Sequence, residues 1–253
     1  MTAPLARILS SVGIVGLAVV VTACTNYFEI PIETPIRPTL DVSAFQRVLV
    51  AGFVSGGTED VDGNLETTRL LRSQLRTKSS LRVIDSDALP LTTVASEGRS
   101  EADAGGQASA IKDEKELEAY AHVFANVDYW KKIGEEYQQP LIVTGTVMFT
   151  PHQRNSIVQR EDEVVDALGR RRTVPTRSYQ ERKGFVLSPR FVFIDGRTGT
   201  VIHSTTAREE ILYNANQATP ALASYFELMD RVLPTFLSTL SSQKVKGTRI
   251  LLQ

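Results

Sequence analysis

The sequence predicts an α/β fold: a mixed β-sheet flanked by helices on both faces, with a long polar β-hairpin extension. Three observations predict it. Short, nearly continuous apolar runs, "RVLVAGF" (47–53), "LRVID" (81–85) and "LIVTGTVMF" (141–149), read as buried strands. Segments with apolar residues at helical spacing lie between and after them. A further apolar stretch, 184–212, is split by the turn sequence Asp195-Gly196-Arg197-Thr198-Gly199, where glycines can supply the positive φ that a hairpin needs.

The elements follow in order. After strand 47–53 comes a Ser-Gly-Gly loop, with Gly52, Gly56 and Gly57 read as turn residues. In "LETTRLLRSQLRTKS" (65–79), Leu65, Thr68, Leu71 and Leu75 lie on one helical face, with Arg and Lys on the others. With strand 81–85 this makes a βαβ unit. Residues 86–112 are rich in Ser, Ala, Gly and Thr without periodicity, and read as a surface insertion. A helix over 113–127 presents Leu117, Tyr120, Ala121, Phe124 and Val127. Another over 128–139 presents Trp130, Ile133, Gly134 and Tyr137, with Asp128 as its cap. Residues 219–243 form a long amphipathic helix with the stripe Leu222, Phe226, Met229, Leu233, Phe236 and Leu240. Pro234 should kink or divide it. "GTRILLQ" at the end reads as an edge strand.

The start of the chain differs in kind. Arg7 precedes an apolar core, Ile8 to Val21, followed by Thr22, Ala23 and the only cysteine, Cys24. Positive charge, apolar core and small residues are the order of a signal peptide. A transmembrane anchor is the competing reading, for which the core is short. Val21-Thr22-Ala23-Cys24 resembles the lipobox of bacterial lipoproteins. The resemblance implies cleavage before Cys24, acylation of its thiol with chains such as palmitate, and a membrane anchor. Thr25, rather than Asp, then favours the outer membrane, periplasmic face. Residues 24–43 form a Pro-containing linker, with Pro31, Pro35 and Pro38 favouring an extended polyproline spacer. Tyr27, Phe28 and Ile30 are compatible instead with an ordered arm packed on the domain. The expected organisation is a signal peptide (1–23), the linker (24–43) and one α/β domain (44–253).

The net charge of -1 becomes -2 once Arg7 is removed, because it is the only charged residue in 1–23. A nucleic-acid partner would call for a strongly basic chain. His122, His152 and His203 have no metal-like spacing. "GFVSGG" lacks the G-K-[ST] ending of a phosphate loop, and no serine sits in G-x-S-x-G. No catalytic residue, metal or cofactor is nominated, and an enzyme is the least supported reading.

The order of elements, with "TGTV" (144–147) and the "DxxTGxVI" phrase over 195–202, resembles CsgG-type curli secretion lipoproteins, LpoB-type activators of penicillin-binding proteins and the N-terminal domain of TolB-type proteins. It covers residues 45–253 apart from 86–112. It implies a periplasmic lipoprotein without enzymatic activity. The curli channel inserts long amphipathic hairpins into the outer membrane. Here the corresponding stretch, 150–183, carries Arg154, Arg160, Glu161, Asp162, Glu163 and Arg170 to Arg172, with little alternation. Charges facing lipid cost roughly 2–4 kcal/mol each near the midplane, so a polar projecting hairpin turning near Leu168-Gly169 is expected instead of a pore. Arg170, Arg171 and Arg172 are the candidate partner-binding residues, either as a solvated tip or as a docking patch for carboxylate or phosphate. The leading expectation is a non-catalytic, lipid-anchored binding or assembly adaptor with an envelope protein partner. The alternative is an oligomeric secretion or transport component of curli type, and self-association is left open.

Overall fold

A computed structural model describes residues 27–89, 91–92, 111–165, 167–214, 216–217 and 219–252. The signal segment with Val21, Thr22, Ala23 and Cys24, and most of the insertion 86–112, lie outside the described residues. The chain divides into two compact units, Arg37–Ser241 and Met1–Ile36 with Ser242–Gln253.

In the larger unit the strands are β2 (Arg47–Gly57), β3 (Arg82–Ile84), β4 (Leu141–Val165), β5 (Arg171–Asp195), β6 (Thr200–Thr206) and β7 (Glu209–Asn214). The helices are α1 (Gly63–Lys78), α2 (Glu114–Glu118), α3 (Ala121–Phe124), α4 (Val127–Glu136) and α5 (Ala221–Leu240). The sheet order is β3-β2-β4-β5-β6, with β7 also on β5. β2 is parallel to β3 and β4, and the remaining pairs are antiparallel, so the sheet is mixed as predicted.

Strict alternation along the central strands builds two cores. Val48, Val50, Leu141, Val143, Phe191 and Phe193 join Leu71, Leu75 and the α5 residues Tyr225, Met229, Val232, Leu233 and Phe236. The intervening Leu49, Ala51, Ile142, Val192 and Ile194 face Leu117, Phe124 and Trp130. Helices therefore cover both faces, and the strands read as continuous apolar runs because neither face meets water.

The glycines of β2 act inside the strand, not in a loop after it. The register against β4 shifts between Val50 and Gly52. Before the bulge even-numbered residues enter the first core; after it Phe53 does, and Val54 enters the second. One extra residue reverses the facing of everything beyond it. Gly52 holds φ 122°, and the next amide, Phe53 N, donates to Asn64 Oδ1 at 2.8 Å. The strand continues through Gly57, whose N–H donates to Ile111 O at 2.7 Å. Leu89 N likewise donates to Ala51 O at 2.6 Å, and Leu91 and Ile111 are buried, so both described ends of the 86–112 segment pack on the core.

Other expectations shift. Residues 113–139 form three short helices. The last is capped by Asn126, which accepts from Tyr129 N at 3.1 Å, so Asp128 sits in the first turn rather than at the cap. Val127, Leu65 and Leu222, expected inside, are exposed. α5 runs undivided through Pro234, with Tyr225, Leu228 and Leu237 extending its buried face. Among the described residues no helix is long and apolar enough to cross a membrane.

The turn between β5 and β6 is where the sequence placed it, but only Gly199 uses positive φ (75°). Gly196 serves close approach: a Cβ on it would lie 2.4 Å from the carbonyl oxygen of Pro140. Asp195 is nearly buried and holds Arg197, with Nη2 donating to Oδ2 at 2.7 Å and Nε to Oδ1 at 2.9 Å. Those bonds pull the Asp195 carboxyl below the ordinary aspartate range, against the opposing effect of burial. A depressed carboxylate stabilises the fold above its unfolded pKa of about 3.9 and loses that contribution as pH falls through the folded value. The stability gap between the wild type and Asp195→Asn is thus expected to stay constant from pH 5 to pH 7 and to narrow below about pH 4. Urea titrations across that range check it; a gap unchanged in acid would mean that the charge contributes nothing.

Candidate partner-binding hairpin

β4 and β5 pair without interruption from Leu141↔Asp195 out to Val165↔Arg171. Their inner halves are buried and their outer halves exposed. The change comes where the sequence passes from "LIVTGTVMF" to "TPHQRN". β7, which sequence reading merged with the preceding strand, widens the base by pairing with Arg182–Leu187 of β5. Beyond it, from Asn155↔Glu181 to Val165↔Arg171, only two strands remain among the described residues. At about 3.4 Å per residue this free ribbon is roughly 35 Å long.

Gly169 makes the turn with φ 75°, and a Cβ there would meet nothing within 4 Å. Arg170 lies in the turn and Arg171 opens β5. All three arginines are exposed, and Arg171 Nη1 lies 3.5 Å from Glu163 Oε2. They do not form one patch. Neighbours on a strand point to opposite faces, so Arg171 and Arg172 part company.

The register instead sorts the ribbon into two faces. One carries Arg154, Arg160, Arg172 and Arg182 against the single acid Asp162. The other balances Arg171, Arg177 and Lys183 against Glu161, Glu163 and Glu181. On that second face Ile157 and Tyr179 sit directly opposite each other, 72% and 66% exposed. Cross-strand aromatic and β-branched pairs steady a hairpin by roughly 0.2–1 kcal/mol. In the sequence Tyr179 is the one aromatic of the 150–183 stretch. Counting outward from the turn would have placed it against Ile157.

At the base, Glu210 of β7 ties the ribbon down. Arg154 Nη2 lies 3.3 Å from its Oε2 and His152 Nε2 lies 3.6 Å from its Oε1. A groove of about 430 Å³ opens beside them, lined by His152, Lys183, Phe185 and Tyr213. A second groove, about 550 Å³, lies between α2 and the sheet; Arg208 crosses it to Glu114 at 3.1 Å. Of the other histidines, His122 Nδ1 is 2.7 Å from Ala119 O and His203 packs against Phe193. Among the described residues no cluster of three or more His, Cys, Asp or Glu could hold a metal ion.

A scan against protein-family models finds no match, and neither does a search of curated proteins. Among solved structures, the chain is similar to a neuraminyllactose-binding hemagglutinin homolog from Helicobacter pylori. That match has 11% identity and a TM-score of 0.40, over 81% of this chain and 88% of that one. It is also similar to lipoprotein GNA1162 from Neisseria meningitidis. There the identity is 14% and the TM-score 0.34, over 75% of this chain and 96% of that one. At these values the likeness is one of general outline, and the function of neither protein passes to this chain through it.

Proposed function

We propose that this protein is a non-catalytic, lipid-anchored adaptor of the cell envelope, held at the periplasmic face of the outer membrane through Cys24. It binds an envelope protein partner through the free part of the β4–β5 hairpin. The observation that carries the reading is the free ribbon itself, with Ile157 and Tyr179 paired and exposed on one face and an arginine row on the other. A two-stranded hairpin is marginally stable alone in water, and this one presents the kind of aromatic anchor and arginine that dominate interface energetics. The arginine face suits carboxylate or phosphate on the partner.

A photoreactive residue at Tyr179 in the native, membrane-bound protein is expected to capture one predominant envelope protein. The same residue at exposed Lys115 of α2 should not. Replacing Arg160 and Arg172 with Glu should reduce capture at least tenfold, while Arg170→Ala, in the turn, should change it little. Equal, diffuse labelling from both positions would sink the hairpin as the binding element.

A further inference from the structure

Among its described residues the smaller unit holds one antiparallel ladder. β1 (Tyr27–Ile36) pairs with β8 (Gln243–Leu252) over its whole length, from Tyr27↔Leu252 to Ile36↔Gln243. The backbone of residues 24–43 is extended as the prolines require, but ten of those residues are a paired strand rather than a free spacer. Two strands alone are marginal in water; three or more are needed for independent stability. The ladder also leaves Ile30, Ile32 and Ile36 exposed on one face (44%, 38% and 51%). Among the described residues neither outer edge has a sheet partner.

The two edges are not equivalent. Pro31 and Pro35 have no N–H, so in an unbroken antiparallel ladder they must occupy positions whose backbone faces away from β8. Alternation then places residues 27, 29, 31, 33 and 35 along the outer edge of β1, and two of those five donors are missing. On β8 the outward positions are their partners, 244, 246, 248, 250 and 252, and each retains its N–H. The outer edge of β1 is blunted against further pairing and that of β8 is open.

We infer that the β8 edge pairs antiparallel with β8 of a second copy of this chain, making a four-stranded sheet β1-β8-β8-β1 across a two-fold axis. The blunted β1 edge excludes the head-to-tail alternative, in which β1 of one copy meets β8 of the next and the array continues. Charge permits the pairing. Glu33 holds Lys244 at 3.2 Å and Lys246 at 4.0 Å within the chain, so its one carboxylate offsets half of their charge before two copies meet. An axis at Thr248 sets Lys244 and Lys246 opposite positions 252 and 250 of the second copy, not opposite its lysines. Four strands pass the threshold that two do not, and β1 closes both outer edges of the assembly. The inference is independent of the hairpin reading.

The experiment is the mass of the full acylated chain in detergent, by native mass spectrometry and light scattering, with three variants. The wild type should be a dimer. Thr248→Pro removes one outward donor opposite Pro31, outside the intrachain bonds, and should weaken dimerisation at least tenfold. Thr248→Val keeps the N–H and should dimerise as the wild type does. Pro31→Thr with Pro35→Thr reopens the second edge and should give larger, concentration-dependent assemblies. Hydrogen exchange supplies the folding control: Thr248→Pro should speed exchange over 243–252 and leave Arg37–Ser241 unchanged. A monomeric wild type, or an oligomer insensitive to Thr248→Pro, would overturn the inference. So would β8 amides that exchange fast in the purified protein and slowly in isolated envelopes, which would assign the edge to a strand from another protein.

Discussion

Gly145→Ala is expected to lower the unfolding free energy by about 4 kcal/mol or more, at the top of the range for single substitutions. Gly145 lies mid-strand in β4, between Phe53 of β2 and Phe191 of β5. Its φ is 147°, a conformation that L side chains rarely adopt. A Cβ there would lie 1.8 Å from the carbonyl oxygen of Arg190 and 2.9 Å from its carbonyl carbon. Neither atom can step aside cheaply, because Arg190 is also paired with Thr206 of β6. At a few degrees per kcal/mol for a chain of this size, the melting temperature should fall by roughly 10 °C. Gly169→Ala is the control: it too has positive φ, 75°, but nothing lies within 4 Å of its Cβ. It should cost only about 1 kcal/mol, the left-handed penalty alone. Urea titration of both variants separates the two causes. Equal losses would mean that backbone conformation, not contact with β5, sets the requirement for glycine at 145.

The same geometry gives physical content to the phrases that carried the family resemblance. "TGTV" needs glycine where two strands approach too closely for a side chain. In "DxxTG", Asp195 anchors Arg197, and Gly199 turns with its would-be Cβ 2.2 Å from Val127 O of α4. Such demands lie in the backbone, so the phrases report packing geometry and name no chemistry.

Legibility followed the range of the interaction that decides each element. Burial on both faces wrote β2 and β4 into the sequence as apolar runs, and the charged run 150–183 marked the hairpin and its turn. What stayed hidden depends on pairing. Gly56-Gly57 looked like a loop because nothing local reveals that β4 runs alongside as far as Phe149. β7 was concealed because Ala207 and Arg208 gave no Gly or Pro to mark the break before it. The three arginines read as either a solvated tip or a patch because they adjoin along the chain; the ladder divides Arg171 from Arg172 between faces and brings together Ile157 and Tyr179, which are far apart in sequence. β1 and β8, at opposite ends of the chain, each read as extended, but nothing in either pointed to the other.

Under the proposed lipid anchor, Cys24→Ala is expected to remove the protein from the outer membrane entirely, the largest effect of any single change on where it acts. The argument rests on length and on acyl chemistry. Residues 8–21 number 14, which as a helix would span about 21 Å, short of the roughly 30 Å hydrocarbon core. That length suits the proposed cleaved signal segment better than a spanning helix. Each buried methylene of an acyl chain contributes about 0.8 kcal/mol, so one chain binds reversibly and two or more bind stably. Only position 24 offers a thiol to carry them. Intact mass of the native protein should give a chain starting at acylated Cys24, co-fractionating with outer-membrane markers. The variant should keep residues 1–23 and disappear from that fraction. A native chain that keeps residues 1–23 and fractionates like the variant would refute the anchor. The hairpin would then have to find its partner from the inner membrane, where the adaptor reading no longer applies.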